Sequence, residues 1–341
     1  MSGQPTTADP SLLQLQDLVV HYRVRGRPPV QAVNGVNLDV GPGQVVGLVG
    51  ESGCGKSTLA RVAVGLEAPT SGQVRFRGQH VEPLGWRRRA GNDLGLQMVF
   101  QNPYSSLNPR RTVAAQLLDG AGSLPGSPAG SPAGSKPGAR KQQVSRLLAR
   151  VGLEEDAAGR YPHEFSGGQR QRIAIARALA AEPALIIADE PVTALDASSQ
   201  AQVVKLLTGL VAELGMGMVF ISHDLALVRA VADEIAVMYL GTIVERAPTD
   251  QLWGSPQHPY TRALIDAVPD IDADGGLPAV LSGEVPDPAR PPAGCRFRPR
   301  CPHAMDKCWK DPPLFELGGR TAACWLADPD QAAMPPTAAR E

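Results

Sequence analysis

The sequence predicts an α/β fold in which buried parallel strands alternate with helices. Three apolar runs carry this prediction. The run at 44–49 (QVVGLV) leads directly into a glycine-rich loop and a helical pattern. The run at 184–188 (ALIIA) ends in an acidic pair, and the run at 217–221 (GMVFI) follows a helical pattern near 197–213. Short apolar runs between helices are typical of strands that are covered on both faces of a sheet.

Weaker patterns complete the order of elements. The segments 12–24 and 30–40 alternate apolar and polar residues and predict two strands. A helical stretch is expected at about 140–151, and a helix follows His223. Two short strands are expected near 234–246.

The ends of the chain and one internal segment have a different composition. Residues 120–139 (GAGSLPGSPAGSPAGSKPGA) cannot bury apolar surface and predict a disordered insert. We expect a main domain over 11–267 and an irregular, cysteine-containing extension over 268–327. Disorder is expected at 1–10 and 328–341.

Overall composition narrows the function classes. The net charge is −1 and aromatic residues are 4% of the chain, which argues against a nucleic-acid partner. No apolar run approaches the ~20 residues that a membrane span needs, and the polar start lacks a signal-peptide pattern. We therefore expect a soluble cytosolic chain, which is compatible with docking on a membrane protein.

The stretch GESGCGKSTLA at 50–60 matches the phosphate-binding loop pattern Gly-x4-Gly-Lys-Ser. Its glycines let backbone N–H groups point at phosphate oxygens, and a helix that begins near Lys56 adds the positive end of its dipole. We expect Lys56 to reach the β- and γ-phosphates and Ser57 to supply a hydroxyl to Mg²⁺. The predicted nucleotide-binding residues are Gly50, Glu51, Ser52, Gly53, Cys54, Gly55, Lys56, Ser57 and Thr58.

Asp189 and Glu190 follow the apolar run at 184–188. A carboxylate at the carboxyl end of a parallel strand faces the ligand crevice of such a sheet. Asp189 is therefore a candidate for holding Mg²⁺, and Glu190 for polarising the water that attacks the phosphate.

Residues 165–172 (FSGGQRQR) resemble the signature motif of ATP-binding cassette (ABC) ATPases. Gln101, at the end of LQMVFQ, resembles the Q-loop glutamine, and Asp196 resembles the D-loop aspartate. His223 resembles the switch histidine, and Tyr22 lies where the family places an aromatic that stacks on adenine.

This resemblance, from about residue 12 to 325, implies an ABC-type P-loop ATPase with bound ATP and Mg²⁺. The implied fold is a RecA-like core with an antiparallel β subdomain and a helical signature subdomain at about 102–182. In that family two cassettes pair head to tail, and each ATP lies between the P-loop of one and the signature of the other. The implied catalytic residues are Lys56, Gln101, Glu190 and His223; the implied Mg²⁺ residues are Ser57, Gln101 and Asp189; and the partner's ATP would meet Ser166, Gly167, Gly168, Gln169 and Asp196.

Three longer stretches resemble the ATP-binding subunits of oligopeptide and dipeptide importers, a group that includes nickel importers. They lie at 100–110 (FQNPYSSLNPR), 161–179 and 238–265, and the last includes His258. The resemblance implies a second ABC ATPase subunit (a heterodimer is favoured), two transmembrane permeases, an extracytoplasmic binding protein and a location at the cytoplasmic face of the membrane. Import of nickel or another small solute, and a soluble non-transport ABC ATPase, are the alternatives. A regulatory module that does not hydrolyse ATP is disfavoured by the intact Glu190 and His223. His258, before a proline near a helix start, is expected to be a cap or packing residue.

Four of the five cysteines cluster near the C-terminus, with five, six and fifteen residues between successive members. This spacing matches neither the short pairs of zinc sites nor the bacterial ferredoxin run. Some dipeptide importer ATPases bind a [4Fe–4S] cluster through four such cysteines, so the resemblance implies that cluster; zinc, free thiols or disulfides stay open. The residues concerned are Cys295, Cys301, Cys308 and Cys324.

Overall fold

A computed structural model describes residues 11–84, 95–121, 137–268 and 283–330. The predicted disorder at 1–10, and most of that at 120–139 and 328–341, lies outside these ranges; residues 328–330 are described and end in a turn. At the described ends of 120–139 the chain is helical, so helices enter that segment from both sides.

The strands that the sequence predicted all form in the predicted order, whereas those at 71–76, 79–80, 315–316 and 321–322 were not predicted. The strands are β1 Leu13–Tyr22, β2 Val30–Val40, β3 Val45–Val49, β4 Ser71–Phe76, β5 Gln79–His80, β6 Leu96–Val99, β7 Leu185–Asp189, β8 Gly217–Ser222, β9 Glu234–Tyr239, β10 Thr242–Pro248, β11 Phe315–Glu316 and β12 Thr321–Ala322.

Among the described residues, four helices follow one another between β6 and β7, and the others follow single strands or precede the C-terminal extension. The helices are α1 Lys56–Ala63, α2 Pro103–Ser106, α3 Val113–Ala121, α4 Pro137–Arg150, α5 Gly167–Leu179, α6 Ala197–Leu214, α7 Leu225–Arg229, α8 Thr249–Gly254 and α9 Pro259–Asp266.

Within the described residues the larger sheet has eight strands in the order β11-β12-β10-β9-β3-β8-β7-β6. The pairs from β9 through β3, β8 and β7 to β6 are parallel. Every residue of β3, β7 and β8 is buried, as the continuous apolar runs predicted. Because β3 and β7 are parallel and both adjoin β8, their carboxyl ends open on the same edge of the sheet.

The smaller sheet is antiparallel, in the order β2-β1-β4-β5. Register shifts interrupt the β1–β2 and β1–β4 pairings, so both ladders bend. The inward side chains of this sheet form one core cluster with α1 and one face of the larger sheet. The opposite face packs against α3 to α7 in a second cluster. The chain therefore has a layered architecture in which the larger sheet is covered on both sides.

The C-terminal extension is more ordered than its composition predicted. Its two short strands continue the larger sheet, because β12 pairs with β10 (Glu245 opposite Ala322). Phe297 is 2% exposed and belongs to the main core. Within the described ranges, no helix is long and apolar enough to cross a bilayer.

Candidate functional site

The phosphate-binding loop connects the carboxyl end of β3 to the start of α1. Gly50 and Gly55 have φ angles of 156° and 110°. A Cβ atom at Gly50 would lie 2.1 Å from the Met238 carbonyl oxygen, and one at Gly55 would lie 2.0 Å from that of Ala32. Only glycine fits at these two positions, so the loop keeps a narrow path with its backbone unshielded.

Positive charge and N–H donors converge inside this loop. The Lys56 side chain is 4% exposed, and its Nζ donates to the carbonyl oxygens of Gly50 (2.7 Å) and Glu51 (3.1 Å). Gly55, which precedes α1, has no side chain to cap the N–H groups of the first turn. An anion is therefore favoured at this helix start.

Ser57 and Asp189 meet across the cleft, as the sequence predicted. The Ser57 hydroxyl donates to Asp189 Oδ1 at 2.9 Å. Burial raises the pKa of the Asp189 carboxyl, and the Ser57 hydrogen bond opposes that shift. A hydroxyl and a carboxylate side by side are the oxygen ligands that suit Mg²⁺, so this pair fits that ion.

Glu190 stands beside Asp189 with three polar side chains around it. Glu190 Oε2 accepts from Gln101 Nε2 at 2.9 Å and from the Thr193 hydroxyl at 3.0 Å. His223 Nδ1 lies 3.4 Å from the same oxygen. Glu190 has a φ of 45°, a left-handed conformation that is unusual for a residue with a side chain.

Lys56, Ser57, Glu190, Gln101, Thr193 and His223 line one cavity of about 630 Å³. Asp189 does not line this cavity and is joined to it by its hydrogen bond with Ser57. Tyr22, 38% exposed, lies at its wall, and its hydroxyl donates to Glu67. Pro288, from the C-terminal extension, lines the same cavity. The sequence-predicted residues that line it are Tyr22, Ser52, Gly53, Gly55, Lys56, Ser57, Thr58, Gln101, Glu190 and His223.

The signature residues do not line this cavity. Ser166 caps α5: its hydroxyl accepts from the Gln169 N–H, and the Gln169 side chain accepts from the Ser166 N–H. Asp196 caps α6 by accepting from Ser199, whose hydrogen bonds lower the pKa of Asp196. The chain thus carries two separate sets of candidate nucleotide contacts.

The signature and the start of α6 adjoin each other. A Cβ at Gly167 would lie 3.3 Å from Leu195, and one at Gly168 would lie 3.1 Å from Ser199. The two glycines therefore allow close packing of the two helix starts.

The four C-terminal cysteines form a second feature. Cys308 and Cys324 are buried, and Cys295 and Cys301 are half-buried. Burial and the proximity of the other three thiols raise the pKa of Cys324 to about 12, and burial raises that of Cys301 to about 11. In the part of the chain that the structure describes, no three His, Cys, Asp or Glu side chains are grouped so as to hold a metal ion.

His258 is a cap, as predicted. It is 1% exposed and precedes α9, and its Nδ1 accepts from the Tyr260 N–H at 3.0 Å. Sequence reasoning missed Thr193, Pro288 and Arg300. Arg300 forms an ion pair with Glu51 of the loop, and no local pattern connects two residues so distant in the chain.

The glycine loop with its lysine, the Ser57–Asp189 pair and the Glu190 cluster together define a P-loop ATPase site. Comparison with known proteins identifies the family. Residues 33–193 match the ABC transporter family model, and residues 244–308 match the model of the oligopeptide/dipeptide transporter C-terminal region. The chain belongs to the ABC transporter ATPase family.

Relatives of nearly the same length support this assignment. The chain is 47% identical over 338 residues to a probable peptide ABC transporter ATP-binding protein of Sinorhizobium fredii, covering 95% of this chain and 92% of that protein. It is 43% identical to a dipeptide transport ATP-binding protein of Escherichia coli, covering 97% and 99%. Among solved structures, a dimeric ABC cassette bound to ADP and Pi is 28% identical with a TM-score of 0.58, covering 70% of this chain and 98% of that one.

Proposed function

We propose that this chain is the ATP-hydrolysing subunit that powers peptide import through an ABC transporter. The observation that carries the proposal is the convergence of Lys56, Ser57 and Glu190 on one cavity, with Asp189 hydrogen-bonded to Ser57. The match of the C-terminal part to the oligopeptide/dipeptide transporter region supports peptides as cargo, as do the names of the relatives.

ATP would enter this cavity with its adenine against Tyr22 and its phosphates in the loop at 50–58. Lys56 and the N–H groups of the loop compensate the phosphate charge. Ser57, Asp189 and Gln101 would hold Mg²⁺, which supplies further charge compensation when it is bound.

Glu190 is the proposed general base, because three polar side chains surround one of its carboxylate oxygens and fix its orientation. Gln101 and Thr193 donate to one of its oxygens, which leaves the other oxygen to accept a proton from the attacking water. His223 lies on the same side and would orient the γ-phosphate or the water.

The signature at 166–169 would serve the ATP of a partner cassette, with Asp196 beside it. The separation of these residues from the cavity supports this division of roles. We propose a heterodimer with a second ABC ATPase, docked on two permeases at the cytoplasmic face of the membrane and supplied by an extracytoplasmic binding protein.

Glu190→Gln tests the hydrolytic role. This exchange keeps the shape of the side chain and removes the base, so steady-state ATP turnover of the purified complex should fall by about 10²-fold or more while ATP still binds. Glu182→Gln, an exposed position outside the cavity, is the matched control and should turn over normally. Turnover of Glu190→Gln equal to that of Glu182→Gln would remove Glu190 from the mechanism.

Co-purification tests the transport role. The tagged chain, extracted from membranes in detergent, should bring two permeases and a second cassette with it. Ribosomal or DNA-repair partners without any membrane protein would contradict importer function while leaving the ATPase role intact.

We further propose that the four C-terminal cysteines hold a [4Fe–4S] cluster in a structural or regulatory role. The donor set fits, because four thiols of one segment lie within electrostatic reach of one another and thiolates are the usual ligands of such clusters. Anaerobically purified protein should be brown and absorb near ~400 nm. Colourless, iron-free protein from that preparation would reject the cluster. Stoichiometric zinc in that protein would instead identify the cysteines as a zinc site.

A further inference from the structure

The C-terminal extension reaches the phosphate-binding loop through one ion pair. Arg300 lies in a short 3-10 turn, Arg298–Arg300, immediately before Cys301. Its Nη1 and Nη2 donate to the two carboxylate oxygens of Glu51 at 2.6 and 2.9 Å. The Arg300 side chain is 3% exposed and that of Glu51 is 25% exposed. A two-pronged pair of this kind fixes orientation as well as distance.

Glu51 is held at a second point by the backbone. Its N–H donates to the Tyr260 hydroxyl at 2.9 Å. Tyr260 packs against Tyr239 and Phe297 with ring centroids 4.6 and 5.4 Å apart, so the acceptor belongs to a rigid aromatic group. The Glu51 carbonyl in turn accepts from Lys56 Nζ at 3.1 Å. Glu51 therefore connects Arg300 directly to the phosphate-binding lysine.

The extension is itself anchored next to the loop. Arg296 donates to the Gln31 side chain at 2.7 Å and to the Leu240 carbonyl. The N–H of Gly241, the residue after Leu240, donates to the Cys54 carbonyl of the loop at 2.9 Å. Pro288 accepts from the Gln31 N–H at 3.0 Å. The segment that carries Arg300 is thus held against the main domain next to Glu51.

We propose that Arg300 is a positioning residue of the ATP site, through which the C-terminal extension sets the affinity for Mg-ATP. The proposal rests on binding of ATP at the loop, as argued above. Arg300 does not line the cavity and would act on the nucleotide through the loop, directly through Glu51 and also through Tyr239, whose hydroxyl accepts from Arg300 Nη1 at 3.4 Å and whose ring packs on Tyr260. With the ion pair intact, the loop is ordered before ATP arrives; without it, part of the binding free energy must order the loop.

This position in the network predicts a specific kinetic result. The Arg300–Glu51 ion pair holds the phosphate-binding loop, whereas Glu190 is held by Gln101 and lies 3.4 Å from His223 at the end of β7. Loss of the pair should therefore weaken binding of substrate and transition state alike, which raises KM for ATP and leaves kcat nearly unchanged.

The test uses six variants of the full-length chain. Three change the ion pair singly (Arg300→Gln, Arg300→Lys and Glu51→Gln), one is the double variant Arg300→Gln/Glu51→Gln, and the controls are Arg298→Gln and Lys56→Ala. Arg298 lies in the same turn, but its guanidinium stacks on Trp309 of the extension rather than reaching the loop. The measurements are the Kd of a fluorescent ATP analogue with Mg²⁺, KM and kcat for ATP, and the melting temperature without nucleotide.

Arg300→Gln should weaken binding about tenfold, which corresponds to ~1.4 kcal/mol, and kcat should change less than twofold. Arg300→Lys keeps the positive charge but cannot donate to both Glu51 oxygens in the same geometry, so its affinity for the analogue should lie between those of Arg300→Gln and the unmodified chain. Arg298→Gln should bind as the unmodified chain does. In the double variant with Glu51→Gln, the loss should be no larger than in either single variant, because both changes remove the same contact.

Equal affinities of Arg300→Gln and Arg298→Gln would overturn the proposal, as would additive losses in the double variant. If Arg300→Gln does not fold, Glu51→Gln and Arg300→Lys carry the same comparison from the other side of the pair. Lys56→Ala distinguishes an error in the proposed ATP site from an error in the role of Arg300. If ATP binding survives in Lys56→Ala, the proposed ATP site is wrong; if binding is lost there but is unaffected in Arg300→Gln, only the role of Arg300 fails.

Discussion

At the scale of single residues, the cavity depends on backbone conformations that few side chains tolerate. Gly55 and Gly53 both have positive φ angles, of 110° and 79°. They differ in surroundings: a Cβ at Gly55 would meet the Ala32 carbonyl oxygen at 2.0 Å, whereas one at Gly53 has nothing within 4 Å. The two positions therefore separate conformational strain from steric overlap.

Gly53→Ala should lower the free energy of unfolding by about 1–2 kcal/mol, from strain alone. Gly55→Ala should cost at least about 2 kcal/mol more, since β2 or α1 must also move. Urea unfolding of the two variants without nucleotide measures the difference. Equal losses would show that the loop relaxes around the added methyl group.

His258 gives a prediction for pH dependence. Burial lowers the pKa of its ring from the usual 6.5 to about 3. Between these values the unfolded chain binds a proton that the folded chain does not, so the free energy of unfolding rises with pH through this window and falls on acidification. Glu245 is buried and accepts a hydrogen bond from the backbone N–H of His258. Burial raises the pKa of the Glu245 carboxyl, so this group also contributes to the pH dependence.

The His258→Asn variant isolates the histidine, because Asn keeps a capping acceptor and does not titrate. Between pH 7 and pH 5 the unmodified chain should lose about 2 kcal/mol more than this variant. Urea unfolding at both pH values gives the two losses, and the shared contribution of Glu245 cancels in the comparison. An identical pH dependence in the two proteins would place the ring in contact with solvent or with an unrecognised partner.

Single residues also show where sequence reasoning succeeds. Lys56, Ser57, Asp189 and Glu190 were predicted because each follows a strand in a recognisable local pattern, and the structure brings them together. Arg300 could not be predicted in this way. Its partner lies 249 residues earlier in the chain, and the contact depends on how the extension folds back.

At the scale of elements, the buried strands were the most predictable part. β3, β7 and β8 occur within a residue of the positions that their apolar runs indicated. The extension was less predictable, because its proline- and glycine-rich composition hides two short strands and a buried aromatic. Strands of two residues leave no periodicity to detect, and β11 and β12 are held by the edge that β10 offers.

Phe297 tests whether the extension is part of the core. It is 2% exposed and packs edge-on against Tyr239 with ring centroids 5.3 Å apart. Phe297→Ala should lower the free energy of unfolding by about 3–5 kcal/mol. Trp309→Ala, at a position of the same extension that is 64% exposed, should cost no more than about 0.5 kcal/mol. Similar small losses in both variants would mean that the extension is attached without adding to the stability of the core.

At the scale of the whole molecule, the chain carries two separate parts of an ATP site. The cavity carries the residues proposed to bind and hydrolyse ATP, while the signature lies at another helix start outside it. A second cassette would complete the site. Closing and opening of the pair would transmit the free energy of ATP hydrolysis to the permeases. The pairing follows from the family resemblance rather than from any local pattern, which is why the identity of the partner was beyond prediction from this sequence.

The central claim is that hydrolysis at this site powers the import of peptides. Its most direct test is uptake of a labelled dipeptide by proteoliposomes that contain the co-purified complex, with the binding protein outside and ATP inside. The unmodified complex and Glu182→Gln should accumulate the dipeptide only with ATP, and Glu190→Gln should lose at least about nine-tenths of that uptake, as expected when a general base is removed. Uptake that continues in Glu190→Gln, or ATP turnover that no peptide uptake accompanies, would contradict the account.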